Sequence, residues 1–130
     1  MNARTTTGDL TLTVHSLSAR TAVLAARGWL NAATMLAFKT RVDEVVRQGR
    51  PEIVCDLAGV TSVDSSGLAG LIFAVKVATS RAGFFKIAAA SEEVRRMFRS
   101  TRLDGVLEIH DSVESVLGED AMVQEIRRAA

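Results

Sequence analysis

The chain has 130 residues, of which 48% are hydrophobic and 24% are charged, and its formal net charge is only +1. This length is close to the modal size of one domain, and the composition is that of an ordinary globular protein rather than a disordered chain or a polyelectrolyte. The charge therefore indicates no nucleic-acid or membrane partner, and residues 1–130 are expected to form one domain.

The first part of the chain predicts a tail and two paired strands. Residues 1–8 hold no apolar segment and are expected to form a flexible N-terminal tail. Apolar and polar residues alternate from Leu10 to Val14, as in a half-buried strand, and a second strand follows from Thr21 to Ala26. The connection between them is short, which favours an antiparallel pair.

A helix is predicted next, with Asn31 as its cap and Gly49 and Pro51 as its stop signals. Its apolar residues recur at helical spacing and are expected to face the core: Met35, Phe38, Val42, Val45 and Val46.

The rest of the chain reads as three strand-helix units. The strands are predicted at Ile53–Leu57, Phe84–Ala89 and Val106–Ile109, and the helices follow Asp64, Ser91 and Asp111. The helix after Asp64 is predicted to end at Gly83, and its expected buried stripe has helical spacing: Leu68, Leu71, Ile72, Val75, Thr79 and Ala82. This order predicts an α/β domain with one mixed sheet, antiparallel at its start and parallel later, and about four α-helices.

The junction Asp64-Ser65-Ser66-Gly67 lies between a predicted strand and a predicted helix, and it has two interpretations. Asp64 or Ser65 could simply cap the helix, since Asp and Ser accept hydrogen bonds from its unpaired N–H groups. Alternatively, a serine at this place is exposed beside the positive end of the helix dipole and could carry a phosphate without melting the helix. Local chemistry alone leaves both open.

Several kinds of catalytic or ligand site are not indicated. The serines lack the Gly-x-Ser-x-Gly elbow of a hydrolase, and neither common glycine-rich nucleotide motif is present. His15 and His110 have no ligand neighbours at zinc spacing, and Cys55 is expected to be a small core side chain in a reducing compartment. The chain is therefore expected to be neither an enzyme nor the holder of a metal or cofactor.

The arginines at positions 95, 96, 99 and 102 are expected to lie on one helix and its exit. The only nearby aromatic residue, Phe98, belongs to the predicted apolar stripe on the opposite face, so an acidic protein surface is a better counterpart than a nucleic acid. Nowhere are there about 18 consecutive uncharged apolar residues, so no membrane-spanning segment is expected.

The segment Asp56–Ile72 resembles the signature of STAS domains, and more narrowly that of the bacterial anti-sigma factor antagonists. The likeness covers most of the chain, because Gly28–Asn31 resembles the turn before the family's first helix and Ser91–Leu103 resembles its third helix and the following loop. Two differences stand out. Trp29 and Asn31 occupy positions where the family usually has acidic residues, and Arg102 stands where it commonly has glycine.

The resemblance implies a cytoplasmic protein that, when unphosphorylated, docks on an anti-sigma factor with serine-kinase activity and makes it release a sigma factor. The kinase phosphorylates a serine in the motif, and a serine phosphatase restores the active form. By position Ser66 is the expected acceptor and Ser65 the alternative. The resemblance gives Asp64 the role of holding the loop and Gly67 that of allowing close approach of the partner backbone.

Other readings remain open from the sequence. Trp29 is either an exposed anchor for the partner, next to Asn31, or a side chain that fastens the turn to the core. The chain could instead be a non-phosphorylated STAS scaffold subunit of a stressosome-like or lipid-transport ABC complex, with a structural motif. Nucleotide binding at Ser65-Ser66 is a weaker third hypothesis, and a homodimer is compatible with each of them.

Overall fold

The computed structural model describes residues 2–118. Within this part the chain forms six strands, four α-helices and one short 3-10 helix. Their bounds are β1 (Asn2–Thr7), β2 (Leu10–Ser16), β3 (Thr21–Leu30), α1 (Met35–Arg47), β4 (Glu52–Val63), α2 (Ser65–Thr79), β5 (Phe84–Ala88), α3 (Glu92–Ser100), the 3-10 helix (Leu103–Gly105), β6 (Glu108–His110) and α4 (113–118).

The six strands lie side by side in the order of the chain. The pairs β1–β2 and β2–β3 are antiparallel, and the three later pairs are parallel. Parallel neighbours require a crossover connection, and α1, α2 and α3 provide one for each parallel pair. The predicted fold class, a mixed sheet that is antiparallel at its start and parallel later, is confirmed.

The helices bury both faces of the sheet. The main core contains α1, α2 and α3 on one face, where Phe38 and Phe98 are fully buried. On the other face Val116 of α4 packs in a smaller cluster with Val23 and Val54. Because β4 is covered on both faces, its first half is a nearly continuous apolar run, as the sequence predicted.

The buried stripe of α1 is the predicted one, but that of α2 is not. The buried residues of α2 are mostly small: Gly67, Leu68, Gly70, Leu71, Ala74 and Ala78. Ile72 and Val75 are only half-buried, and Thr79 and Ala82 are exposed. Glycine and alanine let α2 approach its neighbours closely; a Cβ at Gly70 would overlap the sulfur of Met35.

The expectation of a flexible N-terminal tail at residues 1–8 is wrong for residues 2–8, and residue 1 lies outside the described part of the chain. Asn2–Thr7 forms β1, which pairs with β2 in continuous register. The segment is rich in threonine, which favours strands, and Gly8 takes a φ of +54° in the two-residue turn that follows. An edge strand needs no apolar run, so its sequence carries little of the signal that marks a buried strand.

Candidate functional site

The long parallel strands β3 and β4 end side by side, and the loops that follow them form the candidate site. Leu30, the last residue of β3, pairs with Val63, the last residue of β4. One residue further on, the N–H of Asp64 donates to the carbonyl of Leu30 at 3.1 Å. Asn31 and Asp64 therefore begin adjacent loops at the carboxyl edge of the sheet, where open α/β folds bind their ligands.

Asp64 is the N-cap of α2. Its backbone is extended, and its Oδ1 accepts a hydrogen bond from the N–H of Gly67 at 2.9 Å. The carbonyl of Asp64 accepts the first intrahelical bond from Leu68, also at 2.9 Å. The capping interpretation thus holds for Asp64, while Ser65 lies inside the first turn.

Because Asp64 is the cap, the two serine hydroxyls have no capping role. Ser65 is exposed and Ser66 is partly exposed. Among residues 2–118 neither hydroxyl is hydrogen-bonded to a protein group. The first turn of α2 itself carries no acidic residue, and the carboxylate of the cap, Asp64, is the negative group at the positive end of the helix dipole.

Gly67 sets how closely α2 approaches the end of β3. A Cβ at this position would overlap the carbonyl of Leu30 and would lie 2.9 Å from Cγ1 of Val63. Gly67 is buried. The chain's own backbone therefore occupies the space that a side chain at position 67 would need. Any effect of Gly67 on a partner would act through the position of the loop.

The loop after β3 is held by Asn31 and Thr34. Oδ1 of Asn31 accepts from the N–H of Ala33 at 3.0 Å and from that of Thr34 at 3.1 Å. The Thr34 hydroxyl donates to the carbonyl of Trp29 at 2.8 Å and accepts from the N–H of Asn31. Asn31 thus fastens a turn, and Thr34 is the residue before α1; the expectation that Asn31 caps the helix directly is wrong.

Two exposed apolar side chains flank this loop. Trp29 is 47% exposed and Leu36, in the first turn of α1, is 77% exposed. Trp29, which was considered from the sequence as an anchor for the partner, therefore lies at the surface beside Asn31, near the start of α2. Thr34 and Leu36 were not among the site residues predicted from the sequence. Leu36 had a usable signal, because a leucine next to the buried Met35 falls outside the α1 stripe and so faces away from the core.

Comparison with known sequences decides the family. The sequence model of the family described as "Mlab, STAS domain" matches residues 13–109. The chain belongs to the STAS domain family. A curated relative from Thermotoga neapolitana, named "Putative anti-sigma factor antagonist", is 33% identical over 91 residues, which cover 69% of this chain and 80% of the relative. The resemblance stated from the sequence is thus confirmed.

Solved structures share the STAS fold. An anti-sigma factor antagonist from Mycobacterium paratuberculosis has a TM-score of 0.75 at 24% identity, covering 85% of this chain and 92% of that one. The phosphorylated form of the Bacillus cell fate determinant SpoIIAA has a TM-score of 0.65 at 16% identity, covering 83% of this chain and 97% of that one. At these identities the likeness concerns the fold.

The arginines of this STAS domain differ in how they are engaged. Arg95 is partly buried and donates to the carbonyls of Ala90 and His110 and to the carboxylate of Asp111, so it connects α3 to the end of β6. Arg99 pairs with Glu92 at 2.6 Å. Two of the four predicted basic side chains therefore have partners within the fold, which weakens a nucleic-acid interpretation further.

The structure also locates the residues considered for metal and redox chemistry. Within residues 2–118 no three side chains among His, Cys, Asp and Glu come together as metal ligands would. Cys55 is fully buried in β4, and this burial raises the pKa of its thiol. None of the helices in the described part has the length and apolar character needed to cross a membrane.

Proposed function

We propose that this STAS domain protein is an anti-sigma factor antagonist whose unphosphorylated form binds an anti-sigma factor with serine-kinase activity, so that a sigma factor is released. The observation that carries the proposal is the start of α2: Asp64 makes the cap, and Ser65 and Ser66 stay available on the surface. The name of the Thermotoga relative supports the same role. The role is regulatory and cytoplasmic, without catalysis, cofactor or direct nucleic-acid contact.

The switch is a reversible phosphorylation. The kinase transfers the γ-phosphoryl group of ATP to Oγ of Ser66, with loss of the hydroxyl proton and release of ADP. A serine phosphatase then hydrolyses the phosphoester with water, which restores the hydroxyl and releases inorganic phosphate. Ser66 is the first choice from the position in the motif, and Ser65, the more exposed of the two, is the alternative.

The fold is suited to carry the added charge. A phosphate adds about −1.5 to −2 charge at pH 7. At Ser66 it would lie in the first turn of α2, which has no acidic residue of its own, and the helix dipole stabilises negative charge there. The loop keeps its shape because the bonds that hold it belong to Asp64, Leu30 and Gly67. Phosphorylation therefore changes the surface and not the fold.

The same charge is large enough to release a partner. The phosphate stands near Asp64, and together they make this part of the contact surface negative. One pair of unit charges near a protein surface is worth up to ~4 kcal/mol at 4 Å. Moving an equilibrium from 1:99 to 99:1 takes about 5.5 kcal/mol. Two added charges thus suffice for a switch without any refolding.

The contact surface is proposed to extend from the α2 start to the loop after β3. Asp64 holds the serine loop, Gly67 sets its distance from β3, and Asn31 orders the neighbouring turn. Trp29 contributes apolar area at the edge of this surface, where a partly exposed aromatic ring is a good anchor. Trp29 and Asn31 replace acidic residues, so the partner should be less basic here than partners of relatives that keep those acids.

The test is to incubate the purified chain with a cognate anti-sigma kinase and ATP and to map the product by mass spectrometry. The expected result is one phosphate on Ser66 or Ser65, and loss of the kinase complex on modification. Ser66→Ala and Ser65→Ala decide which serine is used, and Ser91→Ala is a matched control because Ser91 begins α3 on the same sheet edge. No incorporation at either serine would contradict the proposal.

A STAS scaffold subunit of a stressosome-like or lipid-transport ABC complex is the second candidate. It is favoured by the replacement of the acidic turn residues by Trp29 and Asn31, which gives the turn a more apolar surface. In that role the chain would bind its complex with the same affinity whether residue 66 is serine, alanine or aspartate. The affinity of these variants therefore separates the two candidates.

A further inference from the structure

The two edges of the sheet are protected to different degrees. The β6 edge is only three residues long, and Glu108 on it pairs with Lys86 at 3.3 Å. The β1 edge has six residues in unbroken register with β2, with Arg4 as its one charged residue and no proline. Short, charged edges resist pairing with another chain, whereas long regular ones allow it.

A groove runs along the unprotected edge. It has a volume of about 370 Å³ and lies between Thr5 and Thr7 of β1 and the outer face of α1, where Leu36 is 77% exposed. The two charged residues of its lining, Arg41 and Glu44, pair with each other at 2.8 Å. The groove is therefore neutral as a whole, and it suits an uncharged, threonine-rich strand better than a highly charged segment.

We propose that this edge binds a second copy of the chain, with β1 of one copy pairing antiparallel to β1 of the other across a two-fold axis. The partner's β1 lies beside this groove in the plane of the sheet, so that its uncharged Thr5 side chain forms part of the outer wall of the groove. With a net charge of only +1 per copy, long-range repulsion between copies is weak. The two sheets then form one continuous sheet, and both Leu36 side chains flank the seam.

The hairpin geometry selects one register for this pairing. In a two-residue hairpin the residues that flank the turn, here Thr7 and Leu10, form a hydrogen-bonded pair, and such pairs alternate along the strands. The N–H and C=O groups of Arg4 and Thr6 then point to the open edge. With Thr5 on the two-fold axis, Arg4 of each copy forms hydrogen bonds with Thr6 of the other.

The neighbouring register centred on Arg4 is less favourable. A seam centred on Arg4 places two guanidinium groups directly opposite each other, and like charges in that position are destabilising. In the register centred on Thr5, the two Thr5 residues form a non-hydrogen-bonded pair, the kind in which opposed side chains are closest. Each Thr6 lies opposite Arg4 of the other copy, so the two Thr6 residues are diagonal neighbours.

The dimer leaves the candidate site uncovered. The serine loop follows β4, which is three strand spacings, or roughly 14 Å, from β1. Because the two copies run antiparallel at the seam, their serine loops lie at opposite ends of the strands of the joined sheet. The dimer can thus bind two partner molecules at once, and its existence does not depend on the function proposed above.

The register is tested by disulfide trapping of the full chain in a glutathione redox buffer. Thr5→Cys is expected to form a dimer across the two-fold axis, and Thr6→Cys is the matched control from the other face of β1. Cys55 does not interfere, because it is buried and burial raises the pKa of its thiol. Cross-linking of Thr6→Cys as fast as Thr5→Cys, or of neither variant, would overturn the proposed seam.

Association itself is tested by sedimentation of the unmodified chain, without any partner protein, over a wide concentration range. A single-strand seam is smaller than a standard interface of about 1,600 Å², so a reversible dimer is expected. Leu36→Ser should weaken it at least tenfold, whereas Leu17→Ser, a similar exposed leucine beyond the far end of β2, should not. A monomer at all concentrations, or equal effects of the two substitutions, would refute the proposal.

Discussion

The starts of α2 and α3 are built alike but use their serines differently. Each helix follows a parallel strand, and in each the N-cap side chain accepts from the N–H three residues later, Asp64 from Gly67 and Ser91 from Val94. In α3 the serine is the cap. In α2 aspartate takes that role and leaves the following serine hydroxyls uncommitted. A serine at a helix start is thus available for modification only when another side chain makes the cap.

The third position of each helix differs as well. Val94 places a side chain in the core, while Gly67 has no room for one because the carbonyl of Leu30 lies against it. The α3 start is therefore held by apolar burial and its cap, and the α2 start by backbone contact with the end of β3. The loop that carries the serines is consequently fixed to the sheet edge and does not need the serines to hold it.

The largest expected effect comes from filling the space at Gly67. Gly67→Ala should destabilise the fold by about 1–3 kcal/mol, since overpacking a close contact typically costs that much. The measurement is the urea unfolding midpoint. Gly105→Ala is the control, because a Cβ there meets nothing within 4 Å, and it should change stability by less than about 0.5 kcal/mol. Equal effects of the two substitutions would contradict the packing described for α2.

The caps give the next largest effect. Asp64→Ala and Ser91→Ala should each cost about 1 kcal/mol of unfolding free energy, because each removes an N-cap hydrogen bond. Ser65→Ala and Ser66→Ala should stay within about 0.5 kcal/mol of the natural chain. Denaturant titration of the four variants measures the difference. A loss at Ser66→Ala as large as that at Ser91→Ala would show that Ser66 has a structural role.

Acid should weaken an ion pair at the start of α3. The hydrogen bond from Arg99, and then its charge, lower the pKa of Glu92 in the first turn of α3, whereas α2 has no acidic residue there. A lowered pKa stabilises the fold above the ordinary value of 4.5, and this contribution is lost as the pH falls through the lowered value.

Glu92→Gln should therefore lose less stability than the natural chain when the pH is lowered from neutral to well below 4.5. The effect is small because the side chain is exposed. Unfolding midpoints at the two pH values measure it. A pH dependence of Glu92→Gln that equals that of the natural chain would contradict a contribution of the ion pair with Arg99.

The ends of the two helices can be compared in the same way. Ala82 after α2 and Arg102 after α3 both have left-handed backbones, with φ of 59° and 61°. Glycine adopts this conformation without steric strain. Arg102→Gly and Ala82→Gly should each stabilise the fold by up to about 1 kcal/mol. Thermal unfolding measures the gain, and destabilisation by both would contradict the strained backbone.

Local patterns predicted much of this structure. The α1 stripe, the antiparallel first pair and the helix starts after Asp64 and Ser91 follow from periodicity and from short-range hydrogen bonding, which a few neighbouring residues determine. The serine junction was located for the same reason, because a strand, a cap and a helix meet there.

The features that were missed depend on contacts between distant parts of the chain. Gly67 is needed because of Leu30, 37 positions earlier in the sequence, and the small residues of α2 are buried because other elements lie close to them. Thr34 is polar, and only the fold shows that its hydroxyl is buried against the carbonyl of Trp29. β1 forms because it pairs with the edge of β2. The composition of residues 2–7 alone does not show that this pairing partner is present.

The most direct test of the switch is a calorimetric titration of the anti-sigma kinase with Ser66→Ala and Ser66→Asp. The structure predicts that both variants keep the fold. Ser66→Ala should bind like the natural chain, and Ser66→Asp at least tenfold more weakly, a loss of about 1.4 kcal/mol. Equal affinity of two folded variants would contradict the claim that negative charge at the start of α2 releases the partner.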